Sequence, residues 1–216
     1  MPDPLPTATV LLGTTATLAI VHALLGVDHS LPFVALGRAR GWSLRRTLLV
    51  TATCGGGHVL SSVAIGAVGV GLGIATDALL WIESARGELA AALLIGFGLA
   101  YAAWAAWRRR RTNDDPTRRN PATRVTPWAL FIVFVLGPCE PLIPLMVVPG
   151  MAHDWLTLGA VIAIFGVLTV GVMLAAVAAG HRGVELLGIG RWSRHTDVAA
   201  GLVVAASGAA VLFLGL

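Results

Sequence analysis

The chain has 216 residues, of which 56% are hydrophobic and 12% charged, and its mean hydropathy is +0.83. A soluble domain of that size needs a polar exterior that this composition cannot supply, so a water-soluble globular fold is excluded. All 15 basic residues are arginine, for a net charge of +4; most sit in short loops, where membrane topology accounts for them, and this argues against a nucleic-acid partner.

Six apolar segments follow in chain order, each long enough for a bilayer-crossing helix. They run over about Thr9–Leu36, Thr47–Ile74, Glu88–Trp107, Pro127–Val148, Leu156–Gly180 and Val198–Leu216. The N-terminal stretch has no basic residue before the first apolar run, so it reads as a retained first helix and not as a secretory signal. The fold class expected is an all-α membrane protein of six transmembrane helices, forming a single transmembrane domain over 1–216.

The first connection carries Arg38, Arg40, Arg45 and Arg46, the third Arg108 to Arg111, Arg118, Arg119 and Arg124, and the fifth Arg182, Arg191 and Arg194. The second and fourth together hold only Arg86. By the positive-inside rule the odd connections are cytoplasmic and both termini face outside. The tryptophans agree, since all seven fall near predicted helix ends, where an amphipathic ring suits the headgroup layer.

The third connection, polar and proline-bearing, reads as a cytoplasmic linker over 108–126. It separates half one, about 7–107, from half two, about 127–216. Gly26-Val-Asp-His-Ser-Leu31 aligns with Gly137-Pro-Cys-Glu-Pro-Leu142 at an offset of 111 residues, and Glu88-Leu-Ala-Ala-Ala-Leu93 with Asp197-Val-Ala-Ala-Gly-Leu202 at 109. Three helices per half reverse the orientation of the second half. The pattern is therefore a 3+3 inverted repeat, the plan of many secondary transporters.

Ionisable groups inside apolar segments mark a functional site, because they are expensive to take out of water. His22, Asp28 and His29 fall within eight positions of the first segment. On an unbroken helix the two histidines, seven apart, project the same way. Imidazole and carboxylate together suit divalent first-row metals; the structural alternative is a pair of hydrogen-bonded histidines beside cytoplasmic water.

His58 follows three consecutive glycines, which permit either a close helix crossing or a break exposing carbonyls. In the fourth segment Pro138, Pro141 and Pro144 each remove a backbone donor around Cys139 and Glu140. Glu140 is a natural cation ligand or proton carrier there, and Cys139 a thiolate ligand or redox thiol. Glu88 and Asp197 read as helix N-terminal acids, and His153, His181 and His195 as solvated loop residues.

With these motifs in place, the chain resembles the nickel/cobalt transporter families, including urease-accessory-type membrane proteins of the lysine-exporter-like superfamily. Their early-helix signature is a histidine, four residues, then Asp-His; here five residues separate His22 from Asp28-His29. Gly57-His58-Val-Leu-Ser-Ser62 and the arginine-rich loop after the first motif are also similar. The resemblance implies that His22, Asp28, His29 and His58 are metal ligands.

A second resemblance is to the thiol-disulfide electron carriers of cytochrome c biogenesis, six-helix inverted repeats with a proline-flanked cysteine in each half. Gly137-Pro-Cys139 is similar to that motif, while Cys54 has no flanking proline.

The expectation is a secondary transporter, not an enzyme, in the inner or plasma membrane. It would move nickel or cobalt through a metal site of His22, Asp28, His29, His58, Cys139 and Glu140, with the ion as transported substrate and no permanently bound cofactor. No GxxxxGK[ST] motif is present, so coupling falls to a proton, the membrane potential or a partner. The alternatives are a thiol-disulfide carrier using Cys54 and Cys139, or a non-transport assembly factor. Glycine-rich runs such as Gly66–Gly73 suit close helix contacts, either within one chain or in a homo-oligomer.

Overall fold

The computed structural model describes residues 4–111, 125–186 and 196–214. Every regular element among them is helical: α1 (Pro4–Leu25), a 3-10 turn (Val27–His29), α2 (Leu31–Ala39), α3 (Leu44–Gly71), α4 (Thr76–Arg111), α5 (Val125–Leu136), α6 (Leu142–Met151), α7 (Trp155–Leu186) and α8 (Thr196–Leu214). Five helices are long and apolar enough to cross a bilayer: α1, α3, α4, α7 and α8. This defines the class, a multi-pass helical membrane protein. Its apolar side chains also face outward, Leu60 and Val167 being 67% and 72% exposed, as lipid contact allows. Hydroxyls along the helices bond back to the preceding turn, as Thr15 does to the Leu11 carbonyl (2.8 Å) and Thr51 to that of Thr47 (2.9 Å), so they need no water.

Two of the expected continuous segments are interrupted. Thr9–Leu36 divides at Gly26, where the chain enters the 3-10 turn before α2. A Cβ on Gly26 would lie 2.7 Å from Cε1 of His29, so glycine there makes the bend possible. Pro127–Val148 divides over residues 137–141, where Pro138 and Pro141 lack the donors a helix needs. The third segment departs in the other direction. Helix α4 begins at Thr76, which leaves Glu88 mid-helix and not at an N-terminus. Asp197 does lie in the first turn of α8, where its carboxylate accepts a 2.8 Å hydrogen bond from Tyr101.

Arg38, Arg40, Arg46 and Arg108 gather at one end of the bundle. Arg40 lies over the rings of Tyr101 and Trp104, Arg46 over Trp42, and Arg108 over Trp104. Arg38 donates to the His181 carbonyl (3.0 Å). His181, expected to be solvated, is buried there with its ring against the Trp42 carbonyl, and Trp42 is itself buried. Trp81, Trp107, Trp128 and Trp155 are exposed, as an interfacial belt requires. His153 is exposed in the turn before α7, while His195, Trp192, Arg191, Arg194 and the linker residues 112–124 lie outside the described residues.

Two apolar clusters form the core. One joins Phe33, Leu36, Cys54, Leu130, Phe134, Met173 and Val204; the other joins Ala19, Val59, Cys139, Leu142, Met146, Val161 and Phe165. His58 falls between them on α3, four residues after Cys54 and next to Val59. Helices α4 and α8 form the most extensive helix pair. They touch through glycine: a Cβ on Gly201 would come 2.6 Å from the Gly98 carbonyl, and one on Gly208 2.8 Å from that of Ala91. Both obstacles are backbone and cannot swing aside. Gly201→Leu is therefore expected to cost about 3 kcal/mol or more, read as a lowered unfolding midpoint in detergent. Gly13→Leu, where the added Cβ meets open space, leaves the midpoint close to wild type.

Candidate metal centre

The first helix break and the middle of α3 bring three histidines together. His22 lies in the last turn of α1, His29 closes the 3-10 turn, and His58 is at the centre of the 28-residue α3. One ligand nitrogen from each falls within 4.8 Å of the others. The ring centroids are 4.8 Å apart for His22–His29, 5.1 Å for His29–His58 and 6.1 Å for His22–His58. Metal–nitrogen bonds of about 2.0–2.1 Å put ligand nitrogens on one ion about 3–3.5 Å apart. The trio must close by about 1–2 Å to grip an ion, a movement within reach of side-chain rotation.

The hydrogen bonds around the trio set the ring tautomers. Nδ1 of His58 lies 3.2 Å from the Phe134 carbonyl of α5. A carbonyl only accepts, so Nδ1 carries the proton and Nε2 presents a lone pair. Nδ1 of His29 lies 2.9 Å from Oδ1 of Asp28, and the same reasoning frees its Nε2. Both Nε2 atoms are buried and without a hydrogen-bond partner among the described residues. A buried polar atom left unpaired costs about 1–3 kcal/mol. Nδ1–H held by a carboxylate or carbonyl with Nε2 vacant is the arrangement of a metal-ligating histidine. Asp28 accordingly orients His29.

Glycine makes the crossing possible. Helix α3 runs unbroken through Gly55–Gly57, so the close-approach alternative holds and no carbonyl is released there. A Cβ on Gly57 would lie 2.9 Å from the rim of Phe131 and from a methyl of Val135, both on α5. A larger residue would push α5 away and take the Phe134 carbonyl from His58.

Cys139 is fully buried, its Sγ 3.8 Å from Nε2 of His22, which places the thiol beside the trio. Glu140 does not join the trio and is exposed on the wall of an adjoining cavity of about 320 Å³. His22, Asp28 and His29 also line that cavity. Cys54 and Cys139 are both free, and they belong to different apolar clusters.

The structure adds two residues that sequence reasoning missed, Glu83 and Arg86. The charges between Asp77 and Glu88 depress local hydropathy, so this stretch reads from the sequence as a connection. The spacing of three between Glu83 and Arg86 is the signal that was available: it puts opposite charges on one helical face, where they can pair. Glu83 is fully buried and ion-paired with Arg86. Its Oε2 accepts from the Cys139 amide (3.0 Å) and from Ser62 (3.1 Å). Arg86 Nη2 donates to Ser61 (2.9 Å) and to the carbonyls of Val135 (2.9 Å) and Gly137 (3.3 Å). The pair thus satisfies backbone groups released by the second helix break and fixes Cys139 in place.

Comparison of the chain with protein-family models, curated proteins and solved structures finds no match in any of the three. The site therefore has to be read from its own geometry.

Two outcomes follow. Asp28→Asn removes the charge that holds the His29 ring, and is expected to weaken cobalt(II) or nickel(II) binding to the detergent-purified protein by about 10–100-fold, measured by titration calorimetry. Arg86→Met strands the buried Glu83 carboxylate and is expected to destabilise the fold by about 3–5 kcal/mol. The Glu83→Gln, Arg86→Met double variant recovers much of that loss in the same thermal assay.

Proposed function

We propose that the chain is a secondary transporter carrying a divalent transition-metal ion, nickel or cobalt, across the cytoplasmic membrane through the histidine trio. The observation that carries this reading is the pair of buried, unpartnered Nε2 atoms on His29 and His58, converging with His22 at a break in the helical backbone. A nitrogen set suits nickel, cobalt, zinc and copper ions and disfavours magnesium and calcium, which prefer oxygen ligands. The Cys139 thiol beside His22 adds a soft donor and strengthens that preference. The resemblance to nickel/cobalt transporters, drawn from His22, Asp28, His29 and the Gly57–Ser62 stretch, narrows it further.

We read six crossings, with α5 and α6 making one interrupted crossing, in a 3+3 inverted repeat. Exchanging α1–α2 with α5–α6, α3 with α7 and α4 with α8 turns the contact of α1 with α7 into that of α5 with α3. It leaves the α3–α7 and α4–α8 pairs unchanged, and all four contacts are extensive. The aligned motifs at Gly26 and Gly137 both coincide with helix breaks. A site at paired breaks near mid-membrane is the plan of transporters that rock one repeat against the other. The arginine-rich end would face the cytoplasm and both termini the outside. Coupling would fall to a proton or the membrane potential. The thiol-exchange alternative gains no support, because Cys54 and Cys139 lie in separate clusters.

The test is metal flux into proteoliposomes, with nickel, cobalt, zinc, manganese and iron(II) run side by side for wild type and His22→Ala. The expected result is saturable flux of nickel or cobalt that falls by about tenfold or more in the variant. Absence of flux for every metal, in protein shown to be folded, would overturn the reading.

A further inference from the structure

Glu88 occupies an unusual position. It lies twelve residues into α4, about 18 Å along the helix at 1.5 Å per residue, yet its side chain is exposed. Ser84, one turn earlier, and Glu140, in the second helix break, are exposed as well. All three line the same cavity of about 320 Å³. A carboxylate at membrane depth is tolerated where it faces water or a paired charge, and not where it faces lipid. At roughly 30 Å³ per liquid water molecule, the cavity holds about ten waters, enough for a cation with a hydration shell.

The cavity has a direction. Its inner wall is formed by the histidines, among them His29, which is 3% exposed and whose Nε2 has no partner among the described residues. Its outer wall includes Leu212, two residues from the end of α8 as described. The opposite end of α8 holds Asp197, bonded to Tyr101 within the arginine-rich layer. The cavity therefore extends away from the arginines. Asp28, Glu88 and Glu140 all line it, and no arginine does. Low-dielectric walls focus the field of such a group and raise the local concentration of cations.

We infer that this cavity is an aqueous cation vestibule opening on the face opposite the arginine-rich end, with Glu88 and Glu140 drawing hydrated divalent cations inward to the histidine trio. The inference rests on the transport reading for its cargo and assigns the face through which the trio communicates with water: the non-cytoplasmic side. Glu88 is a specificity residue of the path, not a helix cap. Glu140 acts in the vestibule and not within the ligand cage.

Ser84→Cys is the probe, a near-isosteric change that leaves both carboxylates in place. Cells producing the variant, and inverted vesicles made from them, are treated with membrane-impermeant methanethiosulfonates of either charge. Wild type, whose two cysteines are 0% and 1% exposed, gives the background. The expected result is labelling from the non-cytoplasmic face only, with the cationic reagent about threefold or more faster than the anionic one, relative to their rates on a free thiol. That preference disappears when Glu88→Gln and Glu140→Gln are added, and nickel or cobalt slows the labelling. Labelling from the cytoplasmic face only, no labelling of folded protein from either face, or labelling without charge preference would each overturn the vestibule. Labelling requires no flux, so its failure is distinguishable from failure of the proteoliposome assay. Glu140→Cys serves if Ser84→Cys does not fold: it is read for the face of labelling and for a cationic preference, carried by Glu88 alone, that Glu88→Gln removes.

Discussion

Two helices break inside an apolar bundle, and each break releases backbone groups that the helices no longer pair. That constraint organises the centre of this protein. At the second break the solution is a buried ion pair. Glu83 receives the Cys139 amide, and Arg86 caps the carbonyls of Val135 and Gly137. At the first break the 3-10 turn closes on itself, His29 donating its amide to the Gly26 carbonyl at 3.0 Å. Once the backbone is satisfied this way, the imidazoles of His22 and His29 and the thiol of Cys139 can be held at the breaks without collapse of the surrounding helices.

The same geometry accounts for the balance between rigidity and vacancy at the site. The Nδ1 atoms of His29 and His58 are committed to fixed acceptors, so the rings have little rotational freedom. The Nε2 atoms have none of that satisfaction and bear an energetic cost of being buried alone. A cation relieves that cost while meeting preoriented lone pairs. Gly57 of α3 serves the same end, because it lets α5 approach closely enough for its Phe134 carbonyl to orient the His58 imidazole.

Much of this site was legible in the sequence. The histidines, the two interrupted motifs and Cys139 stand out because polar groups and prolines are rare in apolar runs. Glu83 and Arg86 did not stand out. Paired charges lower hydropathy just as solvated charges do, so a charged patch inside a helix reads as a loop until the partner helix is in view. His181 was misread for the same reason. A histidine near a helix end has no sequence mark to show that Trp42 and Arg38 will fold over it.

What the sequence determined by itself is the membrane character, the number of long apolar segments to within one interrupted pair, and the identity of the clustered imidazoles. Each follows from local quantities, namely hydropathy summed over a helix length and the cost of isolated polar groups in hydrocarbon. The tertiary structure alone decided which nitrogens are free, that Asp28 steadies His29, that Glu140 lies on a cavity wall, and that Glu83 and Arg86 hold the second break. Those depend on residues as far apart as His58 and Phe134, or Glu83 and Cys139. No periodicity along one helix encodes the carbonyl that another helix brings to it.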